Sequence, residues 1–236
     1  MRGLLYKNFL LYRIGIVVIG YFQAIVSAMV LIMTAADLYG SEERMFFSIG
    51  LYFLVFILAG LLEQQMFAPD EKRTVSCFII SAPGGAREHI QSKYCTILII
   101  DLLILNCCFM TDAAACAVSG TTIYSIGVLC MLFFCINLLF SAFSTPFFIR
   151  FGSVLGNGVK YGTIGVVMLI VGIYGLFGDI SFLFGDDPLA AVSKLFSSGN
   201  AVLILSLIPA VSMLLYYVSY RFSLAIYKKG AENYEQ

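Results

Sequence analysis

The chain has 236 residues, of which 61% are hydrophobic and 12% charged, with a mean hydropathy of +0.95. A soluble domain carries roughly 25% charged residues, so this composition specifies an integral membrane protein. The formal net charge of zero argues against a nucleic-acid partner, which calls for a basic excess. No Pro-rich, Ser-rich or repetitive stretch divides the chain, so one membrane domain spanning 1–236 is expected.

In chain order, Met1 to Arg13 carries three cations and no acid, with Leu5, Phe9 and Tyr12 at helical spacing. An interfacial helix leading into the first span fits this pattern, although the cations do not share a face. The apolar run 14–36 is too long for the core of a cleaved signal peptide, and five more apolar runs follow it. A span needs about 20 apolar residues, which gives six: 14–35, 45–67, 95–118, 122–145, 161–180 and 200–220. The expected fold is therefore all-α, with six transmembrane helices.

Between the second and third spans lies the one long charged interruption, 68–94, with Lys72, Arg73, Arg87, Lys93 and the single histidine, His89. Pro69 suits the first position of a helix, and Asp70 and Glu71 suit its positive end. Val75, Phe78 and Ile79 give that helix one apolar face before Pro83-Gly84-Gly85 ends it. A second short helix from Ala86 is expected to run through Lys93 into the third span. The loop thus reads as a helical hairpin at the membrane surface.

A further loop, 146–160, contains GSVLGNGVKYG. It lacks the G-x-x-x-x-G-K-[ST] order of a phosphate-binding loop, and no strand precedes it. Glycines 152, 156, 158, 162 and 165 continue into the fifth span as Gly172, Gly175 and Gly178, a spacing that lets helices pack closely in lipid, within the bundle or along a dimer seam. The loop 185–199 is expected to form a short outer helix starting at Asp187-Pro188. Its adjacent Asp186 and Asp187 fall far short of the six to eight oxygens that calcium takes.

Twelve of the fourteen cations fall in the N-terminus, 68–94, 146–160 and the C-terminus, and two (Arg44 and Lys194) on the other side. The positive-inside rule places both termini and the 68–94 loop in the cytoplasm.

Polar groups inside spans are costly unless paired or wet. Glu63 and Gln64 stand near the cytoplasmic end of the second span. Asp101 lies about 12 Å inside Lys93 on the third, so these groups are expected at similar depth. Gln23, Asn106 and Asn137 are further polar points. Together the six could line a substrate path; equally, they could hydrogen-bond between helices, or Asp101 could pair with Lys7 or Arg13. Nothing suits intramembrane hydrolysis, since His89 lies outside the spans and the span serines have no base near them in sequence. The seven cysteines lie in or beside apolar runs without a C-x-x-C spacing, which reads as buried small hydrophobes and gives no metal site.

Asp70-Glu71-Lys72, Ser81-Ala82-Pro83, Arg87-Glu88 and Ser92-Lys93-Tyr94, together with the basic opening MRGLLYKNFLLYR, resemble the small ABC-2 type permease family of bacterial ABC exporters. That family shows a DEK-type start, a leucine-proline, an arginine-rich helix and a closing Lys-Tyr in this loop. The present chain departs from it at Ala82, in place of leucine, and at Ala86, in place of arginine. The resemblance implies that Asp70–Ala82 is a coupling helix docking on a separate ATPase subunit, through Asp70, Glu71, Lys72, Val75, Phe78 and Ile79, with Arg87 beyond it. It also implies a pair of permease chains, identical or paralogous, in a bacterial plasma membrane. ATP and magnesium would sit on the ATPase and no cofactor on this chain. Some members of the family export amphipathic peptides such as phenol-soluble modulins or bacteriocins, by alternating access. A self-sufficient ion-coupled transporter or channel using Glu63 and Asp101 is the competing reading.

Overall fold

The computed structural model describes residues 2–37, 41–67, 85–119, 124–177 and 199–232. They form helices α1 (Arg2–Leu11), α2 (Arg13–Ala35), α3 (Ser41–Gln65), α4 (Gly85–Ser119), α5 (Tyr124–Phe177) and α6 (Gly199–Glu232), with no strand among them. The expected all-α class holds. The proposed coupling helix, with Asp70, Glu71, Lys72, Val75, Phe78 and Ile79, lies outside the described residues, as does the outer helix expected near Asp187.

Four helical segments are long and apolar enough to cross a membrane: Arg13–Ala35, Gly85–Ser119, Leu129–Gly152 and Ser206–Lys229. Two shorter apolar helices, Phe46–Leu61 and Val154–Ile170, overlap the other two runs read from the sequence. Large apolar side chains cover the outside, with Ile14 and Val154 about four-fifths exposed. Such a surface suits hydrocarbon rather than water.

α4 packs against all five other helices. Its buried positions Ile90, Tyr94, Ile97, Asp101, Ile104, Cys108, Thr111 and Ala115 recur at three- and four-residue spacing, the periodicity of one helical face. As expected, the short helix from Ala86 runs without a break into the third span. α1 leads into α2 almost continuously, since the amide of Ile16 donates to Tyr12 O across the junction. Rather than lying free at an interface, α1 packs on α4: Asn8 is buried and donates to Ser92 Oγ at 3.1 Å. Cys108, Cys130 and Cys135 are free and buried.

One expectation is overturned. Residues 146–160 are not a loop but helix, interrupted at Gly152, where φ 81° and ψ 178° leave the helical region. The reversal between the fourth and fifth apolar runs is concentrated there. Thr145 and Lys160 both reach Glu63, whereas 15 residues of straight helix would separate them by about 22 Å. The two halves of α5 must therefore fold back on each other. Gly156 meets Phe148 across that fold: a Cβ on Gly156 would lie 2.4 Å from Phe148 Cδ1. Gly158, Gly162 and Gly165 have nothing within 4 Å of an added Cβ, so the glycine series divides between an internal contact and an open face.

Pro146 inside the helix is tolerated for a specific reason. Proline has no amide hydrogen for the carbonyl four residues back, and that carbonyl, Ala142 O, instead accepts the Ser219 hydroxyl of α6 at 2.5 Å. A neighbouring helix thus satisfies the freed group.

Gly152→Ala would force a side chain into a backbone region reserved for glycine, and should destabilise the protein by about 1–3 kcal/mol. Gly156→Ala should cost about 1–3 kcal/mol by displacing Phe148. Gly158→Ala should be neutral or slightly stabilising. Thermal unfolding of the three variants in one detergent checks the ranking.

Candidate functional site

Three buried ionisable groups, Glu63, Asp101 and Lys160, form one cluster between α3, α4 and α5. Glu63 and Lys160 are 2% and 5% exposed at the side chain, and Lys160 Nζ lies 2.5 Å from Glu63 Oε2. Lys160 also donates to the carbonyl of Gly60 at 2.9 Å, and Thr145 Oγ1 donates to Glu63 Oε1 at 3.2 Å. On the other side of Gly60, Asn137 Nδ2 donates to Asp101 Oδ1 at 2.9 Å. Gly60 permits this convergence, since a Cβ there would sit 3.1 Å from Asn137 Oδ1 and 3.7 Å from Lys160 Nζ. The cluster therefore holds two carboxyl groups and one ammonium. Charges in such a setting persist only when paired and hydrogen-bonded.

The sequence-derived candidates divide. Glu63 and Asp101, expected at similar depth, lie in one cluster, and Asn137 joins them. Asp101 takes its hydrogen bond from Asn137 rather than from Lys7 or Arg13. Gln23 is buried elsewhere on α4's face, 3.7 Å from Cys108 Sγ and 3.4 Å from Ser27 Oγ. Asn106 is exposed on α4, away from this cluster. Gln64 is in α3, but its side chain lies outside the description. Arg87 is exposed in the first turn of α4, next to the undescribed segment. Lys160, Thr145 and Gly60 were missed. The glycines at 152, 156 and 158 make the run up to Lys160 read as a loop, which hides its place on a buried helical face.

A second polar centre fastens the end of α3. The final carbonyls of a helix need donors from elsewhere. Met66 O, just past that end, accepts the Tyr12 hydroxyl at 2.7 Å and Lys93 Nζ at 2.9 Å. Lys93 also lies 4.1 Å from the Phe67 ring centroid, and Phe67 stacks on Phe148 at 5.2 Å. A cation at a helix C-terminus is further favoured by the helix dipole. Segment 68–84 therefore departs from a point tied to both α2 and α4. On the α6 side, the Tyr94 hydroxyl bonds Ser219 and Ser223, each at 2.8 Å, while Tyr216 donates to Tyr94 O at 2.9 Å.

Such an arrangement can hold charges and join helices. Among the described residues no group of three His, Cys, Asp or Glu side chains could hold a metal ion. Breaking the buried pair from one side should cost about 3–5 kcal/mol, because the remaining group must change its partner or give up its charge. Glu63→Gln and Lys160→Met should each lower the unfolding temperature strongly, and the double variant should recover most of the loss. Unfolding followed by intrinsic tyrosine fluorescence measures all three.

Comparison with curated proteins and with solved structures gives no match. The sequence model of a family described as ABC-2 family transporter protein matches residues 3–228, nearly the whole chain. That family is the membrane component of ABC transporters and works with a separate ABC ATPase subunit. On that match, the chain belongs to the ABC-2 transporter family.

Proposed function

We propose that the chain is the membrane-spanning subunit of an ATP-driven exporter, moving an amphipathic or hydrophobic substrate of the peptide class by alternating access. The observation that carries this reading is the family match over residues 3–228. In this reading six helices cross a bacterial plasma membrane, with both termini and segment 68–84 in the cytoplasm, in keeping with the distribution of Lys and Arg. Asp70–Ala82 is the coupling helix and presents Val75, Phe78 and Ile79 to the ATPase. ATP and magnesium are bound by that partner.

The anchoring at Met66 supports a mechanical role for this segment. Its start is tied to α2 and α4 through Tyr12 and Lys93, and α4 resumes at Gly85. A push on the docked helix would therefore reach α2, α3 and α4 together. Coupling requires only that the docked segment prefer one state of the ATPase. Two permease chains form the transport unit, and the open glycine face at Gly158, Gly162 and Gly165 offers them a close approach. The substrate path runs beside the cluster of Glu63, Asp101 and Asn137. The competing reading, an ion-coupled carrier built on a Glu63–Asp101 carboxylate pair, is disfavoured because Lys160 claims Glu63.

Purification of the tagged chain from its native membrane in mild detergent tests the proposal. A stoichiometric subunit with an ATPase phosphate-binding motif is expected; a chain that emerges alone and well folded overturns it. Changing both Phe78→Asp and Ile79→Asp should abolish recovery of the ATPase while leaving membrane insertion intact, and unchanged recovery would remove the coupling-helix assignment.

A further inference from the structure

The buried cluster contains two carboxyl groups but a single ammonium. Lys160 directs one N–H to Glu63 Oε2 and another to Gly60 O. Asp101 is 2% exposed, and its Oδ1 is met by a neutral amide, Asn137. Its Oδ2 is buried and receives no donor among the described residues. An ionised Asp101 would therefore be a desolvated negative charge with one neutral hydrogen bond, beside a second carboxylate that already holds the nearby cation.

Among the described residues no other element brings a counter-charge to Asp101, and the buried cation of α4, Lys93, is committed to Met66 O. From α2, which packs on α4, the one charge is Arg13, exposed at its first residue. From α3 comes Glu63 itself, and from α5 Lys160, already engaged. From α6 comes Tyr216, whose hydroxyl is committed to Tyr94 O. On α4 itself the nearest ionisable groups are Tyr94, bonded to Ser219 and Ser223, and Cys95, while Cys108 lies on the side toward Gln23. From α1, Lys7 precedes Asn8, which meets α4 at Ser92, more than two helical turns before Asp101.

We propose that Asp101 is a proton-binding site, which holds one proton at neutral pH for as long as Lys160 is seated on Glu63. The bound ligand is a single hydron, taken from water and carried on the carboxyl of Asp101. The cluster is then neutral, with one acid, one carboxylate and one ammonium. If Lys160 reseats on Asp101, the same balance needs the proton on Glu63 instead, so the proton marks which carboxyl group the lysine faces. This inference rests on the cluster geometry alone and stands whether or not an ATPase is the partner.

Infrared spectroscopy of the full chain in lipid nanodiscs tests it. At neutral pH the native protein should show the C=O stretch of a buried protonated carboxylic acid. Carbon-13 at the aspartate side-chain carboxyl should shift that band. Asp101→Asn should abolish it, and so should Glu63→Gln, because Lys160 is then released to an ionised Asp101. Lys160→Met should raise it about two-fold, since both carboxyl groups must then be neutral. The labelled native protein and Lys160→Met decide the matter even if Asp101→Asn fails to fold. Absence of the band, a band unmoved by aspartate labelling, a band indifferent to Lys160→Met, or one that appears only when sodium is withdrawn would each overturn the proposal; the last would make the ligand a metal cation.

Discussion

A lysine has to be neutralised inside a bundle whose outer surface is hydrocarbon, and much of the architecture follows from that. Lys160 cannot reach water from its position in α5, so its ammonium needs an anion and further acceptors within about 3 Å. Glu63 and the Gly60 carbonyl, both on α3, provide them. Because Thr145 contacts the same carboxylate, α5 has to return to α3 twice, and Gly152 is the residue that permits the reversal. The pair, the glycine break and the fold-back of α5 are one constraint seen from three sides.

The same economy governs the backbone. In lipid an unsatisfied carbonyl has no water to turn to. The carbonyl freed by Pro146 is met by Ser219, and the carbonyl at the end of α3 by Tyr12 and Lys93. These contacts are made by side chains from other helices, so the repairs also fasten α6 to α5, and both α2 and α4 to α3. Lys93 and Tyr94, adjacent in sequence, serve the two centres separately: one caps α3, the other joins α6 through its serines.

The helical class and the approximate positions of the apolar segments were legible because hydrophobic run length is nearly a direct readout of membrane helices. The family was legible in about forty residues of motif. Glu63 and Asp101 could be grouped by depth along antiparallel helices, whereas Asn137 stood out only as a polar residue in an apolar run. Lys160 could not be grouped with them, because a stretch with Gly152, Gly156 and Gly158 reads as a loop when judged by propensities measured in water. In the bundle Gly156 is the seat of Phe148, Gly158 faces open space, and Gly152 alone departs from helical geometry. Asn106 stands on an exposed side of α4, which was not legible for a different reason. Polarity gave its depth, but the face of α4 it occupies depends on which side the other helices cover.

The positions of the two polar centres suggest how a transporter of this kind could combine stability with movement. Met66 and Glu63 are three residues apart on adjoining turns at the end of α3, so the cap on that helix and its buried ion pair share one rigid element. A displacement entering at residue 68 meets the cap first and the ion pair within one turn, about 5 Å. Lys160 lies on the half of α5 beyond the Gly152 break, where the chain is joined to the first half through a single non-helical residue. The contact most exposed to such a displacement is therefore the one between Glu63 and Lys160. Asp101, held at the same level by Asn137, is the neighbouring carboxyl group to which the lysine could turn.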